Sequence, residues 1–163
     1  MTTSNVDPSK DDQGQEEAPW HRAYPSPKTA ASVISCSDLL DWVLGGKEAG
    51  KEFVLVDLRR NDHEGGTIKG SINLPAQSLH SSIPILYRLF SAANVKHVIW
   101  YCSSSRGRGP RAAGWFAGIL QERKDESMES LVLEGGIKGW VAKGGEHVRL
   151  MEGFEPAVWC QCN

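Results

Sequence analysis

Long apolar runs are missing from this 163-residue chain, and so is any large excess of one charge: 18 lysines and arginines face 20 aspartates and glutamates, a formal net charge of −2. The first absence argues against a membrane-spanning helix. The second argues against a global cationic footprint for nucleic acid. Cysteine is sparse. Cys36, Cys102, Cys160 and Cys162 are too few for the disulfide scaffold of a small secreted domain. No basic stretch followed by an apolar one opens the chain, and a cytoplasmic or nuclear compartment is expected. The histidines, His21, His63, His80, His97 and His147, do not stand at metal-ligand spacing from the cysteines. No metal and no bound cofactor are therefore expected. Few docking features stand out, so a monomer or weak dimer is expected.

What is present is an alternation of short apolar runs with helical patterns, which predicts a single α/β domain with a largely parallel sheet. Residues 1–27 are rich in Ser, Asp, Gln, Glu and Pro and are expected to form a disordered arm; Trp20 and Tyr24 are its candidate anchors. The domain is expected over 28–150, with 151–163 as a short tail ending in a Cys-x-Cys pair. A strand at 32–34 leads into Ser35-Cys36-Ser37-Asp38, a capping-box-like start to a helix bearing Leu39, Leu40, Val43 and Leu44 and stopped by Gly45-Gly46. The continuous run Phe53-Val54-Leu55-Val56 reads as an interior parallel strand closed by Asp57, which is expected to point toward a crevice. Further on, Ile83, Leu86, Leu89 and Phe90 recur on one helical face and 95–101 reads as a strand. Ala112, Phe116, Ile119 and Leu120 stripe a helix whose Ala113, Gly114, Ala117 and Gly118 permit close approach to a sheet. A strand at 130–133 and a short helix at 137–142 finish the core.

Chemistry concentrates where the strand 95–101 ends in Cys102. Small and basic residues follow, Ser103, Ser104, Ser105, Arg106, Gly107 and Arg108, and Pro110 then suits a helix start. A thiolate at such a strand-to-helix turn sits where backbone N–H groups and the helix dipole favour negative charge. Between Lys96 and Gln121 there are four cations, Lys96, Arg106, Arg108 and Arg111, and no carboxylate, an anion-attracting asymmetry. Amides of the turn can cradle the equatorial oxygens of a tetrahedral anion while the Arg108 fork binds two of them. The same field would activate Cys102 as a nucleophile, bringing a thiol pKa of about 8.5 into a range of roughly 3.5–7.5. The bland alternative is a small buried cysteine at a strand end beside solvated arginines.

With the loop and its neighbours together, the chain resembles the rhodanese and cell-division-cycle-twenty-five phosphatase superfamily. Val56-Asp57-Leu58-Arg59 resembles its strand-end Asp-x-Arg. Residues 63–75, HEGGTIKGSINLP, resemble its Gly-His-Ile-x-Gly-Ala-x-Asn-hydrophobic-Pro segment, and residues 133–140 resemble its Leu-x-Gly-Gly-x-x-x-Trp signature. The resemblance implies a rhodanese-like three-layer sandwich with a central, mostly parallel five-stranded sheet flanked by helices. It implies Cys102 and Arg108 as catalytic residues, with Ser103, Ser104, Ser105, Arg106 and Gly107 as the oxyanion-binding loop. Cys-x5-Arg is the wider loop of the branch that resembles fungal arsenate reductases and small rhodanese-like phosphatases; sulfur-transferring members have a shorter one. Arg108-Gly109-Pro110-Arg111 is similar to the tail of that motif. Two positions depart: Tyr101 precedes the nucleophile where those enzymes usually have His, and Gly107 stands where the cell-cycle phosphatases have glutamate.

Four activities follow from the resemblance. The first is arsenate reduction through a Cys102 adduct, with glutathione and glutaredoxin as electron donor and partner and Cys160 or Cys162 as an internal resolving thiol. The second is phosphatase action on a phosphoprotein through a cysteinyl-phosphate, with Asp57, Glu64 or His63 as proton donor; Asp57 and Glu64 are equally candidates for loop support, Asp57 by pairing with a loop arginine or capping backbone N–H groups. Thiosulfate sulfurtransfer and non-catalytic anion binding complete the set. The short segment after Trp140 gives no reason to expect a docked kinase.

Overall fold

The computed structural model describes residues 19–160. A 3-10 turn over Trp20–Ala23 precedes β1 (Ser32–Ile34), α1 (Cys36–Leu44), β2 (Phe53–Asp57), β3 (Thr67–Ile68) and β4 (Ile72–Asn73). Then follow α2 (Ile83–Ala92), β5 (His97–Tyr101), α3 (Arg108–Glu122), β6 (Glu129–Leu133), α4 (Gly136–Lys143), α5 (Gly145–Arg149), β7 (Met151–Glu152) and α6 (Pro156–Trp159). The main sheet has the order β1-β6-β5-β2-β4, and every pairing in it is parallel. Among the described residues no helix is long and apolar enough to cross a membrane.

Strand periodicity divides the core into two layers. Val54, Val56, Val98, Trp100 and Val132 face α2 and α3. Phe53, Leu55, Ile99, Tyr101, Leu131 and Leu133 face α1 and α4, where Trp140 and Ile137 are fully buried. Each large side chain removed from water here contributes about 1.5–3 kcal/mol. Inside this core Trp100 Nε1 donates to Ser130 Oγ at 3.0 Å, and that hydroxyl donates to the Ala113 carbonyl at 2.8 Å.

The helix signals act as expected at α1, where Ser35 Oγ accepts from the Asp38 amide at 3.0 Å and the chain turns out at Gly45. In α3, Pro110 lies in the first turn, where a missing N–H removes no helical hydrogen bond. Several expectations are corrected. Leu89 is 57% exposed, because α2 buries only Ile83, Leu86 and Phe90. Gly114 makes room not for the sheet but for the N-terminal segment: a Cβ there would lie 2.7 Å from Pro27 Cβ and 2.9 Å from the Thr29 carbonyl. That segment, read from the sequence as part of the arm up to 27, packs on the domain from Trp20 onward. Trp20 and Tyr24 meet Trp115 edge-on, and Tyr24 Oη donates to the Gln77 carbonyl. The stretch after 150 is likewise more than a tail, since β7 pairs antiparallel with β3 and α6 packs against the Gly65 turn.

Candidate active site

At the C-terminal ends of the parallel strands three loops gather, those following β2, β5 and β6. Cys102 emerges from β5, the middle strand of the sheet, and is 3% exposed. Its loop is tied from behind. The amides of Ile137 and Lys138, in the first turn of α4, donate to the carbonyls of Cys102 and Ser103 at 3.0 Å each. Gly136 permits this approach: its φ is 59°, and a Cβ on it would collide with both carbonyls. Gly135-Gly136 is therefore a seat for the start of the cysteine loop. Ser105 adopts φ 55° and turns its hydroxyl inward, where it accepts from the Cys102 amide at 3.5 Å. With the loop carbonyls fixed on one side, the amides of residues 103–107 have no acceptor among the described residues. Gly107 N-caps α3 with a negative φ, and a side chain there would meet nothing within 4 Å.

Arg108 closes the loop, and the structure adds a residue that the sequence reading missed. Asp62, from the loop after β2, accepts from both terminal nitrogens of Arg108, one at 2.8 Å, and its Oδ2 also accepts from Ser103 Oγ at 2.7 Å. The Arg108 guanidinium and the Ser103 hydroxyl hold the Asp62 carboxyl well below the usual carboxylate range, against the effect of burial. Arg108 is raised in turn, chiefly by Asp62 and further by the Cys102 thiol at its side. The guanidinium thus bonds both a carboxylate from the neighbouring loop and the Ser103 hydroxyl at the start of its own loop. The carboxylate-free stretch along the chain is not carboxylate-free in space. Only the meeting of the loops after two neighbouring strands reveals this; the available signal was Asp62's place just past the end of β2, on the crest where ligands of parallel sheets bind.

Asp57, weighed as either a proton donor or a support paired with a loop arginine, is fully buried beneath this crest. Arg59 grips it with Nε at 3.0 Å and a terminal nitrogen at 2.7 Å, the Arg59 amide and Thr67 Oγ1 donate to it as well, and His63 Nε2 lies 3.4 Å away. A carboxylate so fully engaged by donors is a structural link rather than a group facing a substrate. Tyr101, in place of histidine, joins the same network. Its hydroxyl bonds Thr67 Oγ1 at 2.8 Å and Ser71 Oγ at 2.6 Å and accepts from the Ile68 amide. Burial, with Asp57 nearby, pushes this phenol far above its ordinary range, and it remains a neutral strut. Thr67 stands where the quoted pattern has its own histidine.

Glu64 is exposed, and its role in the fold is made by its backbone, whose carbonyl accepts from Arg59 at 3.0 Å. Cys160 is a free, exposed thiol just past α6, and Cys36 is free and buried against the Glu134 carbonyl. Cys162 lies outside the described residues. Beside the loop, Arg106, Arg111 and Lys28 line an open groove of about 960 Å³ with Ser104 and Gly107 on its inner wall and Glu134 opposite.

A rhodanese-like domain model matches residues 39–143. The chain belongs to the rhodanese-like domain family. It is 28% identical over 137 residues to the dual specificity phosphatase ibp1 of Schizosaccharomyces pombe, covering 74% of this chain and 96% of that one. It is 35% identical over 97 residues to arsenical-resistance protein 2 of Saccharomyces cerevisiae, covering 55% and 75%. The structure of Ygr203w, a yeast protein tyrosine phosphatase of the rhodanese family, superposes with a TM-score of 0.69 at 24% identity over 80% of this chain and 98% of that one. Relatives of this rhodanese-fold chain thus include both phosphatases and arsenic-handling enzymes.

Proposed function

We propose that this chain is a cysteine-thiolate enzyme acting on a tetrahedral oxyanion, with arsenate as the substrate favoured by its site. The observation that carries the reading is the loop running from the buried Cys102 thiol to the half-buried Arg108 guanidinium, whose amides at 103–107 have no acceptor among the described residues. Cys102 attacks arsenic(V) and a hydroxide leaves as water; Arg108 and the loop amides hold the remaining oxygens as charge redistributes. A small thiol such as glutathione then condenses on the arsenic. That condensation releases a second water; a further thiol, from glutathione or glutaredoxin, attacks the glutathione sulfur, two electrons pass to arsenic as this disulfide forms, and water hydrolyses the remaining Cys102–arsenic(III) bond to release arsenite and the free thiol. An alkyl or aryl phosphate asks for more, because its leaving oxygen gains from a proton donor. Asp57 is locked to Arg59, and Asp62 is held as an anion by Arg108. The labile oxygens of arsenate need that donor least.

A second reading, phosphatase action through a cysteinyl-phosphate, draws support from the near full-length likeness to the dual specificity phosphatase. Cys160 and Cys162 are proposed as auxiliary thiols at most, since the external thiol completes the cycle. We assign the oxyanion, a small thiol and glutaredoxin as partners, in a reducing cytoplasmic compartment.

Purified protein and a Cys102→Ser variant, assayed with arsenate plus glutathione and glutaredoxin, with an aryl phosphate, and with thiosulfate plus cyanide, separate the readings. The expected result is arsenate-dependent thiol oxidation that vanishes in the variant. Arsenate reduction surviving the substitution overturns the nucleophile. Aryl phosphate turnover without arsenate reduction moves the assignment to the phosphatase, and thiosulfate as the only productive substrate overturns both.

A further inference from the structure

We propose that Asp62 is an internal competitor for the oxyanion, a carboxylate that occupies the Arg108 guanidinium until a tetrahedral anion displaces it and so sets the affinity threshold of the cradle. The inference rests on the oxyanion reading above, because it requires Arg108 to be the clamp.

The contacts are those of a stand-in. Two carboxylate oxygens take the arginine fork, and Oδ2 also accepts from Ser103 at the opposite end of the loop, much as two oxygens of a bound oxyanion would. The helix beneath demands an anion. Arg108 stands at the start of α3 with Arg111 one turn on and no acidic residue in that turn, an arrangement that opposes the helix dipole unless negative charge is near.

Asp62 is also held in place, unlike a chance surface partner. Arg59 donates to the carbonyls of Glu64 at 3.0 Å and Gly66 at 2.8 Å, and Trp159 Nε1 donates to the Gly65 carbonyl at 2.9 Å. The Arg60 amide donates to Asp62 Oδ1 at 3.2 Å. The loop backbone is therefore fixed by the buried pair and by α6, while only the carboxylate reaches the cradle. Its side chain is 43% exposed against 21% for Arg108. It lies on the solvent side of the guanidinium, so rotation about its own side-chain bonds releases the arginine without opening the fold. Being an anion at neutral pH, it competes for the guanidinium rather than supplying a proton.

Sulfate, a tetrahedral dianion inert to thiols, is the probe, titrated calorimetrically at pH 7.5 into the wild-type chain and into Asp62→Asn, Asp62→Ala and Arg108→Lys, with thermal melting to confirm folding. Both Asp62 variants are expected to bind sulfate roughly three- to tenfold tighter, and to lower KM for the oxyanion substrate more than they change kcat. Unchanged or weaker sulfate binding in both overturns the competitor and makes Asp62 a support for Arg108. Arg108→Lys, which loses the bidentate fork, is expected to weaken binding. If Arg108→Lys binds as the wild type does, or no variant binds sulfate, the cradle reading itself falls.

Discussion

Two aspartate–arginine pairs stand within one stretch of this fold, and they differ in nearly everything but composition. Asp57 and Arg59 are both about 1% exposed or less, and every polar edge of the carboxylate is met by a donor. Asp62 and Arg108 come from different loops, and both remain partly open to solvent. The first pair has no room for a ligand and organises backbone: through Arg59 it fixes the carbonyls of Glu64 and Gly66. The second sits on top of that scaffold, beside the Cys102 thiol. An ion pair that is buried and saturated builds the site; one that is exposed and assembled from two loops can be exchanged for a ligand.

Breaking the buried pair is the most damaging test of this contrast. Arg59→Leu leaves the Asp57 carboxylate without its main partner in the interior, which costs about 3–5 kcal/mol. Urea unfolding is expected to show a loss of that size, and activity should fall with it because the buried network beneath the cysteine loop is lost. A loss below about 1 kcal/mol would place Arg59 among ordinary surface ion pairs and erase the distinction.

The difference between the pairs also explains what was legible in the sequence. The continuous apolar run ending in Asp57, the Ser35 cap and the Gly135-Gly136 turn each encode local geometry, and β2, α1 and the seat of the cysteine loop follow from them. The largely parallel sheet was readable from the alternation of elements, while its five strands were expected only from the family resemblance. Asp62 was not, since its meaning depends on β2 and β5 being neighbours, and strand order is a tertiary fact. Asp57 was open to two readings, a proton donor at a strand end or the partner of a loop arginine, and the choice lies in Arg59, which two residues on folds back and seals the carboxylate. Gly114 looked like a sheet contact because a glycine in a helix announces close approach without naming the neighbour, here the segment through Pro27 and Thr29.

A milder test lies between the two pairs. Tyr101→Phe removes the hydroxyl that joins Thr67 and Ser71, leaving buried partners unpaired at about 1–3 kcal/mol. If Tyr101 is a strut of the buried network, melting temperature should drop while the pH profile of turnover keeps its shape. A displaced profile with unchanged stability would instead give the phenol a part in the chemistry, against the upward push that keeps it protonated.

The smallest effect belongs to the exposed pair. Asp62 is held below the ordinary aspartate value near about 3.9 in the folded state, so its contribution to stability is present above that value and lost as pH falls toward the depressed one. Because the side chains are partly hydrated, the contribution is at most about 1 kcal/mol. Comparing urea unfolding of the wild type and Asp62→Asn across pH, the difference is expected to stay flat from about pH 8 to 5 and to shrink only below about pH 4. A difference that grows on acidification would mean that the carboxyl is protonated in the fold and that Arg108 is not its partner. A flat and small difference, set beside the large loss in Arg59→Leu, is what an exchangeable anion on a rigid scaffold requires: it contributes little to holding the fold, and its departure leaves the cradle intact for the anion that replaces it.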